Sequence, residues 1–288
     1  MKKKVCMMVL TFMAVSIQSF AQGNLLITPK RVVFEGNSQQ AELTLMNIGT
    51  DTATYSVSLR HYNMSEEGTL QLTEKTDTTQ KIADPFLRIF PRQVTLAPGE
   101  AQIVMMQYRP KPAMKDGEYR SHVWFRSEKD YEPLGKQQPA LDSTQMSVSV
   151  TAILGITIPV IIRKGQVNVT TSLSGFKLET ETDKRQTLQF TIHREGDYST
   201  HGNVVVEYVP DQGKPYQIGL VKGLSVFTNI YQRKVSVKLN YVPGLKLMTG
   251  KLRVRYTSSD EAKYSVYAES LISRDELGWM NYAIVTDK

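Results

Sequence analysis

The chain has 288 residues but one cysteine, Cys6, only two tryptophans and only four histidines. A lone cysteine excludes a small fold stapled by disulfides. The histidines, His61, His122, His193 and His201, are scattered without metal-ligand spacing, so no metal site is expected. There is no Gly-rich phosphate loop, no Gly-x-Ser-x-Gly elbow and no Walker-type lysine. Acidic residues are plentiful, but no pair stands out for acid–base work. The chain is therefore read as a non-enzyme with no cofactor. No run of five like charges occurs, so the formal net charge of +7 does not point to nucleic acid. Eighteen glycines and 12 prolines are ordinary fractions, and a 41% apolar share suffices for real cores.

The first residues are read as an address rather than structure. Lys2, Lys3 and Lys4 precede an apolar stretch over residues 5–15, and Ser19-Phe20-Ala21 sets small residues three and one before a cut ahead of Gln22. This is the three-part pattern of a secretory signal peptide. The apolar run is shorter than the roughly 20 residues of a spanning helix, so no integral membrane segment is expected after cleavage. Removing residues 1–21 takes away three lysines and no acid. The 35 basic residues become 32 against 28 acidic ones, and +7 becomes +4. It also removes Cys6, leaving no disulfide and no thiol. A periplasmic location follows from this reading.

The rest is rich in β-strand signals. Residues 25–34, 40–46, 53–62, 86–90, 102–108 and 118–126 are β-rich runs, many of them alternating apolar and polar side chains, with turn signals between them. A second series follows at 166–172, 187–193, 203–209, 234–240, 250–256 and 263–271. Short strands at this spacing predict sandwiches. The fold class is all-β, with domains over 22–163 and 164–288. The longest apolar stretch, residues 146–162 (MSVSVTAILGITIPVII), lies between the two series. Its alternation, its β-branched residues and Pro159 argue against a helix. We read it as one long strand running to a hinge at Arg163-Lys164-Gly165.

Three ordered features carry a resemblance. They are Leu26-Ile27-Thr28-Pro29-Lys30-Arg31-Val32-Val33-Phe34-Glu35-Gly36 with the strand Leu43–Asn47; Phe90-Pro91-Arg92 followed by Leu96-Ala97-Pro98-Gly99-Glu100 and the strand 102–108; and the long alternating strand before the junction. Over residues 25–163 the set resembles the N-terminal domain of the periplasmic pilus-assembly chaperones of the chaperone–usher pathway. The second half is similar only in its all-β character and length.

The resemblance implies two immunoglobulin-like β-sandwich domains meeting in an L. It also implies a chaperone that lends the last strand of its first domain to a pilin-like subunit lacking a strand, by β-augmentation, until an outer-membrane usher exchanges it. The donor row would be Met146, Val148, Val150, Ala152 and Leu154. Such an exposed apolar edge also offers a route to a capped homodimer. The family holds the subunit's C-terminal carboxylate with an Arg on the first strand and a Lys near the end of the donor strand. Arg31 falls on the Arg position, through Arg31, Val33, Phe34 and Gly36. The Lys position is held by Pro159, so Arg163, Lys164 or Lys30 would have to substitute. The acid that salt-bridges the hinge Arg in the family is replaced by Arg120, with Glu118 two residues away to serve instead. The rival implication of Pro159 is a two-domain periplasmic adaptor that keeps the scaffold and has lost strand donation.

Overall fold

The computed structural model describes residues 25–73, 81–128, 155–166, 168–180, 186–240, 250–259, 265–273 and 275–277. The strands in chain order are β1 (Leu25–Thr28), β2 (Val32–Phe34), β3 (Gln40–Asn47), β4 (Ala53–Arg60), β5 (Tyr62–Met64), β6 (Leu70–Leu72), β7 (Leu87–Phe90), β8 (Gln93–Leu96), β9 (Ala101–Tyr108), β10 (Gly117–Glu128) and β11 (Gly155–Lys164). They continue with β12 (Val169–Thr180), β13 (Gln186–Gly196), β14 (Thr200–Val209), β15 (Tyr216–Val226), β16 (Gln232–Leu239), β17 (Lys251–Ser258) and β18 (Val266–Ser273). The only helical pieces among the described residues are short turns at Asp84–Phe86 and Asp275–Leu277. The fold is all-β, as the alternation predicts.

Nine of the first eleven strands make a sandwich. One sheet runs β1-β3-β9-β7 and the facing sheet β2-β11-β10-β4-β8. That Greek-key order, with the first strand shared between both sheets, is immunoglobulin-like. The alternating residues Leu43, Leu45, Val104 and Met106 of one sheet meet Val57, Val123, Phe125, Val160 and Ile162 of the other in a dry core. The second sandwich sets β12-β13-β16 against β15-β14-β17-β18, around Leu188, Phe190, Val204, Val206, Val237, Val254 and Tyr256. It is built on the same Greek-key plan.

Several details depart from the sequence reading, the short strand β8 among them. Residues 25–34 do not form one strand. The chain leaves the β3 sheet after Thr28 and enters the opposite sheet at Val32; Pro29 between them has no backbone donor to continue a ladder. Strand β15 was not expected, because its glycines 219 and 223 interrupt the pattern that marks a strand. The hairpin β5–β6 was not expected either, and it does not stay with its own sandwich. Met64 at its tip is buried in the second core. Asn229 locks it there, its side-chain amide donating to the Met64 carbonyl at 2.9 Å while its Oδ1 accepts from the Met64 amide at 3.3 Å. The Lys234 amide donates to the Glu66 carbonyl at 2.7 Å, and Gln232 donates to Glu66 at 2.7 Å.

Candidate functional site

Strand alternation builds the site. On β10, Tyr119, Val123 and Phe125 enter the first core, so Glu118, Arg120, His122 and Trp124 point out of the other face of the sheet. On β11, Ile158, Val160 and Ile162 face the core, which turns Pro159, Ile161 and Arg163 outward. On the β2 side Val32 and Phe34 are core, and Arg31, just before the strand, joins the outward face. Parallel pairing matches Val32 with Val160, which brings Arg31 alongside Pro159. Antiparallel pairing matches Pro159 with His122, and His122 with Arg60. Arg31, Pro159, His122 and Arg60 thus form one row across the sheet, with Ile161, Arg120 and the hinge one step away.

At the hinge end of this face Glu118 is the organising group. Its Oε1 accepts from Arg120 Nη2 at 2.8 Å. Its Oε2 accepts from Arg163 Nε at 3.3 Å, from the Ser199 amide at 3.0 Å and from the Ser199 hydroxyl at 2.7 Å. Ser199 belongs to the second sandwich, so this carboxylate ties the two together. Burial alone would raise its pKa, but the guanidiniums of Arg120 and Arg163 and the two Ser199 hydrogen bonds outweigh it, and the carboxyl is held below its ordinary value. Glu118 therefore salt-bridges the hinge arginine, two residues from the position that Arg120 occupies.

The predicted site residues fall into three groups. Arg163 is engaged: besides Glu118 it donates to the Ser199 carbonyl at 3.0 Å and lies 3.5 Å from Glu35. Lys164 is engaged as well, donating to the Met114 carbonyl with Asp116 3.9 Å away. Arg31 is different. It is half-buried, and it makes no hydrogen bond or ion pair with any described residue. Burial, then Arg120, then Arg163 pull its pKa down to about 9, with Glu118 opposing them, so it is a full cation at neutral pH. The donor row Met146, Val148, Val150, Ala152 and Leu154 lies outside the described residues. The strand predicted to continue from it is present as β11. Lys30 is exposed.

Sequence reasoning missed what surrounds Arg31. Arg120 is 5% exposed, its guanidinium lies 3.8 Å above the Phe227 ring centre, and its Nη2 also donates to the Ser199 hydroxyl at 2.7 Å. Its Nε and Nη1 are buried and find no partner. His122, beside Arg31 in the row, is 3% exposed and packs between Tyr62 and Phe227. Burial first, then Arg120, His61 and Arg31, lower its pKa to about 3, so it is a neutral wall of the cleft. His201, from the second sandwich, is lowered to about 4 by burial and by Arg31, Arg120 and Arg163. The cleft thus gathers three guanidiniums and two neutral imidazoles around one saturated carboxylate. A local signal existed in the Glu118-x-Arg120-x-His122 spacing, but which face it occupies depends on register. No group of His, Cys, Asp or Glu among the described residues could hold a metal ion, and none of their helices is long and apolar enough to cross a membrane.

The edge of β11 is the second element of the site. Its outer side pairs with β2 only from Val160 to Ile162. From Gly155 to Pro159 that side has no strand partner among the described residues, while the inner side is fully laddered to β10. Arg31 stands where the paired part of the edge gives way to the open part.

No family model matches the chain, and no curated protein matches it. Among solved structures the chain is similar to the YadV chaperone, with 12% identity, a TM-score of 0.45, and 87% of this chain and 100% of that chain covered. It is also similar to the CsuC–CsuE chaperone–tip adhesion subunit pre-assembly complex of Acinetobacter baumannii Csu pili, with 11% identity, a TM-score of 0.44 and coverage of 85% and 97%. The Pseudomonas aeruginosa CupB2 chaperone gives 10% identity, a TM-score of 0.42 and coverage of 86% and 100%.

Proposed function

We propose that this protein is a non-enzymatic periplasmic chaperone for secreted, pilin-like subunits. It binds them by pairing a subunit strand to the open edge of β11 and its N-terminal continuation, and it anchors the subunit's C-terminal carboxylate at Arg31. The observation that carries this reading is the half-buried Arg31 guanidinium, unpaired among the described residues, at the point where the β11 edge opens. A cation without a described partner, in a cleft whose Glu118 carboxylate is already saturated, attracts an anion, and the planar guanidinium fork matches a carboxylate. The adjacent edge supplies main-chain groups for an added strand, with Met146, Val148, Val150, Ala152 and Leu154 as the side chains that would fill the subunit's groove. The division into domains 22–163 and 164–288 and the cleaved leader belong to the same reading, as does release to an outer-membrane usher.

The test is co-purification from the periplasm of the native host. Wild-type protein should bring down a subunit. Arg31→Ala should weaken the complex by a lost charged hydrogen bond, about 1.5–3 kcal/mol, roughly tenfold to a hundredfold in Kd. Val150→Asp should weaken it further by setting a charge in the subunit's groove. Recovery unchanged by both substitutions together would overturn strand donation. It would favour the adaptor reading, which rests on Pro159 standing beside Arg31 where a second cation was expected.

A further inference from the structure

Inside the cleft, charge and hydrogen bonding are left unbalanced in one place. Among the described residues Glu118 is the only carboxylate that touches Arg120, and both of its oxygens are used, by Arg120, Arg163 and Ser199. Arg120 nonetheless keeps two buried donors, Nε and Nη1, without a partner, and His122 Nδ1 beside it is also unpartnered. Leaving such groups unmade costs more than an ordinary hydrogen bond contributes; the two arginine donors call for an acceptor and the imidazole nitrogen for a polar partner. Arg31, on the same face and electrostatically coupled to Arg120, has no acceptor among the described residues. Arg31 therefore lacks a described anion altogether, and Arg120, paired to Glu118 through Nη2 alone, keeps its other two donor nitrogens free. A lysine at residue 159 would crowd a further cation into this corner. Pro159, which stands between Arg31 and His122 in the row, adds none.

We propose that a bound carboxylate is held jointly by Arg31 and Arg120, so that the second cation of the anchor sits on β10 instead of β11. This inference rests on the carboxylate-anchor reading of Arg31 and adds the partner residue and the inner face of the pocket. Arg120 acts here as a binding residue and as the link to the hinge. Its Nη2 bonds to Glu118 and Ser199 couple an occupied pocket to the second sandwich.

The experiment uses the full mature chain and three probes: an N-acetylated hexapeptide of alternating threonine and valine with a free C-terminal carboxylate, its C-terminal amide, and the amide carrying one internal glutamate. Arginine Nε–Hε resonances of isotope-labelled protein report the contact directly, and titration gives the affinities. The free acid should bind about tenfold or more tightly than the amide and should shift the Arg120 Nε–Hε signal. Arg31→Ala should bring the two affinities together. Arg120→Lys, which keeps the charge next to Glu118 but removes the fork, should cut the preference several-fold; its thermal midpoint establishes that it is folded. A free-acid preference that is lost in Arg31→Ala but untouched in Arg120→Lys, with the Arg120 signal static, overturns the joint pocket and leaves the Arg31 anchor standing. No preference for the free acid in the wild type overturns the anchor reading itself. Equal preference for the glutamate-bearing amide overturns the assignment to a chain terminus.

Discussion

Glu118 is a buried carboxylate that two guanidiniums and a serine from the second sandwich share, and its energetics set what single substitutions do here. A buried ion pair need not add net stability, because desolvation offsets the attraction; removing one partner is costly, because it strands the other. Glu118→Ala leaves Arg120 and Arg163 facing one another and should cost about 3–5 kcal/mol, read as a fall in the urea midpoint at unchanged slope. The pH dependence has a definite sign. Glu118 sits below its ordinary value, so its contribution is present above the unfolded value and is lost as pH falls through the folded one. The two imidazoles act in the same direction but earlier. His122 is lowered from 6.5 to about 3 and His201 from 6.5 to about 4, so below pH 6.5 the unfolded chain takes up protons that the folded chain refuses. Stability should therefore begin to fall near pH 6.5, well before carboxylates titrate. The groups facing His122, namely Arg120, His61 and Arg31, oppose its protonation. His122→Gln should flatten the slope of unfolding free energy against pH between 6.5 and about 4; an unchanged slope would show that this histidine does not stay neutral in the fold. At this scale Arg31 was singled out only through the resemblance carried by Arg31, Val33, Phe34 and Gly36. The burial of Arg120 was not legible: a strand guanidinium between Tyr119 and Ser121 reads as solvated, and only the register of β10 against β11 turns it into the cleft.

Among the elements, strand existence was legible wherever a face was half-buried, as in β3, β4 and β14, because alternation is the direct imprint of one wet and one dry side. It failed at β5 and β6. Tyr62-Asn63-Met64 and Leu70-Gln71-Leu72 are too short for a period to show, and β6 is exposed throughout. The reason for the hairpin lies in the other sandwich, where Met64 is buried among Phe227, Ile230 and Val235, and no local pattern encodes that distant partner. The clamp has an apolar and an ionic part. Lys234 lies 3.1 Å from Glu67 and 3.6 Å from Glu66, on exposed side chains whose pairing contributes little. Met64 is 6% exposed, and truncating such a residue typically costs about 2–5 kcal/mol. Met64→Ala should accordingly lower the unfolding free energy by that order in urea, whereas Lys234→Ala should scarcely move it. The reverse ranking would show that the ion pairs hold the hairpin. The open side of β11 is a second case in which sequence and structure divide the work. Its apolar alternation was legible, but that β2 covers only Val160–Ile162 of its edge is a property of the sheet.

For the molecule as a whole, the all-β class followed from pattern alone, and the two cores justify a chain of this length without disulfides. The charge of +7 becomes +4 if residues 1–21 are removed, and mass spectrometry of the secreted protein should find Gln22 at its start. What remained hidden at this scale was the dependence of one sandwich on the other. The first sandwich closes its core with its own strands, whereas the second borrows Met64 from a hairpin made more than a hundred residues earlier. The second sandwich is therefore completed by a side chain from outside its own strands. Expressed separately, it would lack a piece of its own interior, and the missing side chain would have to be supplied in trans for it to remain soluble.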